Sequence, residues 1–446
     1  MGLLGQTRPA LRGGLFACGE TLEPRRIARN GQVCYNKKQD DKRAAQNGGE
    51  RMLRIGEFSD TFLPVVDGVG RVVVAYAENL CGLGHHVTVV TPMYDTGYRG
   101  GLPYEIVDFQ AMSVPGMKQY KTGEAPMDAH YRRRMRMVPL DIVHAHSPFT
   151  AGSEALRLAV TRKLPLVGTF HSKYYDDFLK ATKSERLAKM GVRFVVNYYE
   201  RCDEVWAVGE ATADVLRGYG YEGDIFVMPN GVTLREAEPD AVREAERRWG
   251  LGQDPMFLFV GQMNWKKNIL PVLEACAMLR REGQRFQMVL AGQGPDMKAI
   301  ERKIAELGLR DCTHLAGHIT DMRMLDGLYS RASLFTFPSL YDNAPMVVRE
   351  AAVMGTPALM ARGSSAAEII RDGENGYLCQ NTPADMARVM RGVIANPEDA
   401  RRIGQNAHDT IPIAWMTIME NVVERYERLI ALGREGKLSK KYLRVI

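Results

Sequence analysis

Residues 142–170 read IVHAHSPFTAGSEALRLAVTRKLPLVGTF. The short apolar run Ile142–Ala145 is followed by helical spacing over Ala151–Arg162, then by a second run, Leu166–Phe170. Hydrophobicity that is continuous rather than alternating marks strands buried on both faces, hence a parallel sheet covered by helices. The same rhythm extends outward from this unit. Leu53–Phe58 and Val87–Thr91 precede it, with a helix expected over Arg71–Leu83 and stopped by Gly84; Val205–Val208 and Ile225–Met228 follow it. After the turn Pro229-Asn230-Gly231 and a charged, solvated helix over Arg235–Arg248, the pattern restarts beyond Pro255. Its strands are Met256–Val260, Phe286–Ala291, Thr313–Ala316, Leu334–Phe337, Pro357–Met360 and Tyr377–Cys379. Two such arrays predict an α/β chain of two doubly wound, Rossmann-like domains facing one another across a cleft. The expected divisions are a tail (1–51), a first domain (52–235), a linker (236–254), a second domain (255–411) and a closing segment (412–446). In that segment the amphipathic helix Ile413–Leu432, ending at Gly433, returns to the first domain.

Composition narrows the class. The chain has 446 residues, with 59 Lys and Arg against 53 Asp and Glu, a net charge of +6. Residues 1–51 hold ten of those bases and five of the acids, which leaves 49 against 48 in the remainder. The body is therefore nearly neutral, and no nucleic-acid partner is implied. No run approaches the roughly 18 apolar residues of a membrane span. The tail reads as non-structural. Arg8 and Arg12 interrupt its leucines and so exclude a secretory leader, whereas a transit peptide and a start at Met52 are the other readings. Seven scattered cysteines with no C-x-x-C point to a reducing cytosol rather than to a disulfide framework or a zinc ribbon.

Several stretches carry chemistry. Thr61–Gly70, TFLPVVDGVG, joins the first strand to its helix, and Gly68 and Gly70 let backbone N–H groups approach an anion at the helix start. Val73 stands where a third glycine would complete G-x-G-x-x-G, so a dinucleotide fingerprint is absent. His144 and His146 share one face at period two. With no Cys or carboxylate in reach of the sequence to complete a metal site, they read as packing or capping groups. His171 ends the strand Leu166–Phe170 and aims at the cleft. Gly261 and Gln262 end another strand, just before Lys266 and Lys267, cations suited to a diphosphate. Ala291-Gly292-Gln293-Gly294-Pro295 reads as a structural turn. In Phe337–Pro357, FPSLYDNAPMVVREAAVMGTP, a strand leads to Asp342 and Asn343 and then to a helix start near Ala344-Pro345. The amides from Asn343 to Val347 form an anion site there, and Glu350 lies eight residues after Asp342. The plainer alternative makes Asp342 and Asn343 helix caps and pairs Glu350 with Arg349 or Arg362.

The acid-x7-acid pattern, Pro229-Asn230-Gly231-Val232, the segment VGQMNWKKN and the paired arrays together resemble the retaining GT-B glycosyltransferases of family 4. The likeness runs from Leu53 to Leu432. FSDTFLPVVDGV together with FHSKYYDDF looks most like the branch that glycosylates diacylglycerol and related lipids. The resemblance implies a nucleotide-sugar donor held by the second domain and an acceptor held by the first. In that scheme Lys267 holds the diphosphate, aided by amides of the Gly68 loop and by those of Met346 and Val347 after Asn343. Glu350 accepts hydrogen bonds from the ribose, Asp342 reads hydroxyls of the transferred sugar, and His171 sits beside the reacting centre. No metal and no cofactor is required; the donor is a substrate, expected to be UDP-glucose.

Three departures from that family stand out: Asp342 replaces a Glu, Gln262 replaces an Arg, and Asn343-Ala344-Pro345 replaces Gly-Phe-Gly. The last change removes one N–H donor, because proline has none. The resemblance implies front-face transfer, in which the leaving phosphate takes the acceptor's proton. Two basic clusters suit an anionic membrane surface beside a lipid or lipid-linked glycan acceptor. One is Met117–Met137, with Arg132 and Arg133; the other is Lys173–Arg193, with Lys173, Lys180 and Lys183. The expected location is the cytoplasm, with peripheral contact at the inner membrane face. The alternatives are a soluble member acting on a small metabolite or polysaccharide, a GT-B epimerase, and a non-catalytic nucleotide-sugar binder.

Overall fold

A computed structural model describes residues 51–63, 67–92, 101–114 and 117–438. The tail reading and the Pro64–Val66 part of the first loop fall outside the described residues. The first sheet contains β1 (Arg54–Phe58), β2 (His86–Pro92) and β3 (Glu105–Phe109). A two-stranded antiparallel hairpin, β4 (Met112–Val114) and β5 (Met117–Thr122), follows. The first sheet then continues with β6 (Ile142–Ala145), β7 (Leu166–Phe170), β8 (Glu204–Ala207) and β9 (Ile225–Val227). The second sheet contains β10 (Met256–Val260), β11 (Gln287–Ala291), β12 (Thr313–Gly317), β13 (Leu334–Thr336), β14 (Ala358–Ala361) and β15 (Tyr377–Cys379).

All pairings within the two large sheets are parallel. The first runs in the order β3-β2-β1-β6-β7-β8-β9 and the second in the order β12-β11-β10-β13-β14-β15. Each order reverses direction once, between β1 and β6 in the first sheet and between β10 and β13 in the second. A crevice opens at the carboxyl ends of the strands at such a reversal, and ligands of doubly wound sheets bind there. The strands β6 and β7 are buried at every residue, as expected of parallel strands covered on both faces.

The helix after β1 differs from the expectation. It spans Gly68–Gly82, starting three residues early, because Asp67 caps it: the Asp67 carboxylate accepts from Gly70 N at 2.7 Å. Gly70's amide is thus taken by the chain itself and is not open to an anion, while Gly68 is the exposed first residue of the helix. The charged helix begins at Pro239 rather than Arg235, since proline at the first turn pre-sets the backbone, and it ends at Gly250 in a left-handed cap. Residues 117–137, read as one basic segment, are instead the strand β5, a short 3-10 turn and the helix Ala129–Met137. The strand β3 and this hairpin were not anticipated.

Two cores line the faces of the first sheet. One gathers Phe58, Tyr131, Val143, Phe170, Val195 and Tyr199; the other gathers Ile55, Val72, Tyr76, Trp206, Val422 and Tyr426. The second core is closed by the helix Trp415–Arg434, which runs through Gly433 and lies against the helix Gly68–Gly82. The chain reaches it from the second sheet through a backbone hydrogen bond from Val232 N to Ile413 O at 2.8 Å.

Candidate active site

Register explains the first-sheet side of the cleft. Glu57 on β1 pairs with His144 on β6. Two residues on, His146 projects to the same face. The sequence placed no carboxylate near these histidines, but the strand pairing supplies Glu57, from 87 residues earlier than His144, and corrects that reading. His146 Nε2 lies 2.8 Å from Glu57 Oε2, and His146 Nδ1 lies 3.1 Å from His171 Nε2. His144 Nδ1 meets Tyr426 Oη at 2.5 Å, and His144 Nε2 meets Thr169 Oγ1 at 2.7 Å. Although Glu57, His144 and His146 are close enough to share an ion, all four ring nitrogens already have protein partners. The group reads as a satisfied hydrogen-bond network, in which Tyr76 and Trp206 meet the imidazoles edge-on.

Burial sets the protonation states. It pushes the Glu57 carboxyl up to about 8, against which the Tyr426 hydroxyl acts in the opposite sense. It holds His146 down at about 3, and His144 and His171 well below the ordinary histidine value. The network is therefore neutral near pH 7. His171 sits just past β7 and is 8% exposed; its carbonyl oxygen accepts from Asn343 Nδ2 of the second half at 2.6 Å.

The second-sheet side is charged. Asp342, after β13, accepts from Lys267 Nζ, after β10, at 2.6 Å. These two loops meet because β10 and β13 are neighbours at the reversal. Gly292, at φ 144°, lets the loop after β11 approach so closely that an added Cβ would lie 1.8 Å from Gly261 O. Glu350 is 2% exposed; it takes an ion pair from Arg71 of the first helix and a hydrogen bond from Tyr329 Oη at 3.3 Å. Neither plainer alternative holds here. The cap of the helix Met346–Val353 is Pro345, without a side-chain bond, and Arg349 and Arg362 bond to Ile411 O and Asp372. The amides of Met346 and Val347 stand in the first turn of that helix, beside the cleft. Asp342 Oδ2 and Asn343 Oδ1 are buried with no hydrogen-bond partner among the described residues, although buried oxygens of this kind are normally paired. Gln262 is exposed, next to Gly261.

The outer face of the first half differs in one position from the sequence reading. Lys173 turns into the cleft, its Nζ 3.4 Å from Leu340 O, and burial lowers its pKa. Lys180, Lys183, Arg132 and Arg133 are exposed as outer-face cations. The helix Glu185–Tyr199 exposes Leu187 (50%), Met190 (67%) and Phe194 (38%) at helical spacing. Among the described residues, no helix is long and apolar enough to cross a membrane.

Sequence reasoning missed Arg71, Glu57 and Tyr426. Glu57 left one trace, an acid inside the otherwise strand-like run Arg54–Phe58; an Arg near a helix start and a Tyr on a long helix carry no signal of their own. Lys266 also proves to be a cleft group, with Nζ 2.9 Å from Asp177 Oδ1.

Comparison with known proteins agrees with this geometry. Residues 242–410 match the family described as "Glycosyl transferases group 1", and residues 66–236 match "Glycosyltransferase Family 4". The alpha-monoglucosyldiacylglycerol synthase of Acholeplasma laidlawii is 23% identical over 409 residues, covering 87% of this chain and 100% of the relative. The enzyme of the same name from Streptococcus pneumoniae is 25% identical over 361 residues, covering 78% of this chain and 79% of the relative. Among solved structures, Anabaena HepE in complex with UDP and glucose superposes with a TM-score of 0.68 at 16% identity, covering 84% of this chain and 99% of that one. The architecture is GT-B.

Proposed function

Since the chain belongs to the family 4, group 1 glycosyltransferases, we propose that it moves glucose, with retention of configuration, from UDP-glucose to a hydroxyl of diacylglycerol or a related membrane lipid. The observation that carries this reading is the meeting of the two reversal points. His171 of the first sheet is held by Asn343 of the second at 2.6 Å, and the buried, unpartnered oxygens of Asp342 and Asn343 lie beside them. Oxygens of that kind suit the hydroxyls of a sugar.

In this scheme the diphosphate takes Lys267, releasing its pair with Asp342, and rests against the first-turn amides of Met346 and Val347. These groups supply positive potential without a metal ion. The ribose reaches Glu350 in place of Arg71. The acceptor then attacks on the face the phosphate leaves, with the phosphate oxygen taking its proton, a course that calls on orientation and charge stabilisation and on no carboxylate nucleophile. Against the family pattern Gln262 removes a cation and Pro345 an N–H donor from the diphosphate side, so Lys267 bears more of its charge.

A lipid acceptor is supported by the names of the two relatives and by the exposed face of Glu185–Tyr199. Leu187, Met190 and Phe194 there lie among the exposed cations Arg186, Lys189 and Arg193, a pattern suited to an anionic bilayer at the cytoplasmic leaflet. The test is turnover of UDP-, GDP- and ADP-sugars with and without diacylglycerol vesicles, with the anomer of the product read by NMR. UDP-glucose consumed in a vesicle-dependent manner with an α-linked glycolipid formed is the expected result. Donor binding with no turnover under any condition overturns it.

A further inference from the structure

His171 has two ring nitrogens, and only Nε2 has a partner among the described residues, the Nδ1 of His146 at 3.1 Å. His146 is in turn held through Nε2 by Glu57 Oε2 at 2.8 Å. A neutral imidazole carries one proton, so the proton pattern of such a chain is set at its far end. If Glu57 is an acid, its O–H donates to His146 Nε2, His146 Nδ1–H donates to His171 Nε2, and His171 presents Nδ1–H outward. If Glu57 is a carboxylate, every bond reverses and His171 presents a bare lone pair.

We propose that Glu57 and His146 are positioning residues that fix the tautomer of His171, so that its Nδ1 donates a hydrogen bond to the transferred sugar. The inference rests on the reading of His171 as the group beside that sugar. Three features support it. The chain is sealed from water, with Glu57 and His146 both fully buried. Burial keeps the Glu57 carboxyl protonated to about pH 8, which selects the donating pattern at neutral pH. Tyr426 Oη lies 3.2 Å from Glu57 Oε1, leaving Oε2 to carry the proton towards His146. The other titratable groups facing Glu57 are His144 on β6 and Tyr76 on the helix Gly68–Gly82, with His171 beyond them past β7; none is charged near neutral pH.

The test uses the full chain labelled with 15N-histidine. Expected is His171 as the Nδ1–H tautomer at pH 7 in the wild type and in Glu57→Gln, whose amide N–H donates as the acid does, and a mixture of tautomers in Glu57→Leu. Kinetics should follow. Glu57→Gln retains most turnover, whereas Glu57→Leu loses on the order of tenfold in kcat with an unchanged KM for the nucleotide sugar. Wild-type kcat falls as pH rises through about 8, and the Glu57→Gln profile lacks that limb. A wild-type His171 protonated on Nε2, or an alkaline limb that survives in Glu57→Gln, overturns the proposal; the latter test stands even if Glu57→Leu fails to fold. The expected tautomers in a protein that turns over no sugar donor would support the hydrogen-bond chain and refute the proposed transfer instead.

Discussion

The two reversal points of this molecule solve the same problem with opposite chemistry. At the first, around β1, β6 and β7, polar groups are buried, neutral and bonded to one another through Glu57, His146 and His171. At the second, between β10 and β13, they are charged and joined as ion pairs, the partly exposed Lys267 with Asp342 and, across the cleft, Arg71 with the buried Glu350. A buried neutral network fixes direction, namely which atom donates and which accepts. A partly exposed ion pair stores charge that an anionic ligand can take over at modest cost, because solvent screens the separated ions. In the proposed transfer, the first point orients and the second binds.

That contrast breaks first at Glu57. Its carboxyl is raised from 4.5 to about 8 on folding, so its contribution to stability is complete below pH 4.5 and is lost as pH climbs through about 8. The depressed histidines act oppositely, losing their contribution as pH falls below about 6.5, but they are common to wild type and Glu57→Gln. The unfolding free energy of wild type relative to Glu57→Gln should therefore drop by roughly 4 kcal/mol between pH 4.5 and pH 8.5, as read by urea titration. A constant difference would mean that Glu57 is ionised in the fold.

Orientation and binding separate in kinetics. His171→Ala is expected to lower kcat on the order of a hundredfold while leaving the donor dissociation constant near wild type, since it removes one hydrogen-bond donor from the reacting sugar. Glu350→Ala should do the converse, weakening nucleotide-sugar binding by about thirtyfold in calorimetry, as expected for lost hydrogen bonds to a charged group worth about 2 kcal/mol. An equal loss of kcat and affinity in both would erase the distinction between the two points. Lys267→Met should weaken the donor by about tenfold and flatten the salt dependence of binding. The smallest effect sharpens the acceptor side: Leu187→Ser with Met190→Ser should reduce partition onto anionic vesicles by about fivefold without altering donor affinity, read by flotation.

How legible all this was depends on how local the cause is. The alternation of strands and helices was plain because a strand buried on both faces is mostly apolar along its length, as Ile142–Ala145 and Leu166–Phe170 are apart from His144 and Thr169. Candidate cleft residues at strand ends, such as His171, Lys267 and Asp342, could be named because a doubly wound sheet exposes those ends. Helix starts slipped by a few residues where a cap or a first-turn proline decided them, as Asp67 and Pro239 did. The hairpin β4–β5 went unseen because β4 is only three residues long, β5 is mostly polar, and the two pair with each other.

What the sequence determined alone is therefore the rhythm, the two arrays and the short motifs that resemble a family, all of which follow from contacts made within a few residues. Tertiary structure decided the partners. Glu57 meets His146 because two parallel strands came into register, Tyr426 reaches them from a helix 369 residues away from Glu57, and Arg71 finds Glu350 across a separation of 279. Side chains that far apart along the chain carry no mutual signal in one sequence. Their pairing follows from sheet order and from closing one half upon the other, and so do their protonation and their chemistry.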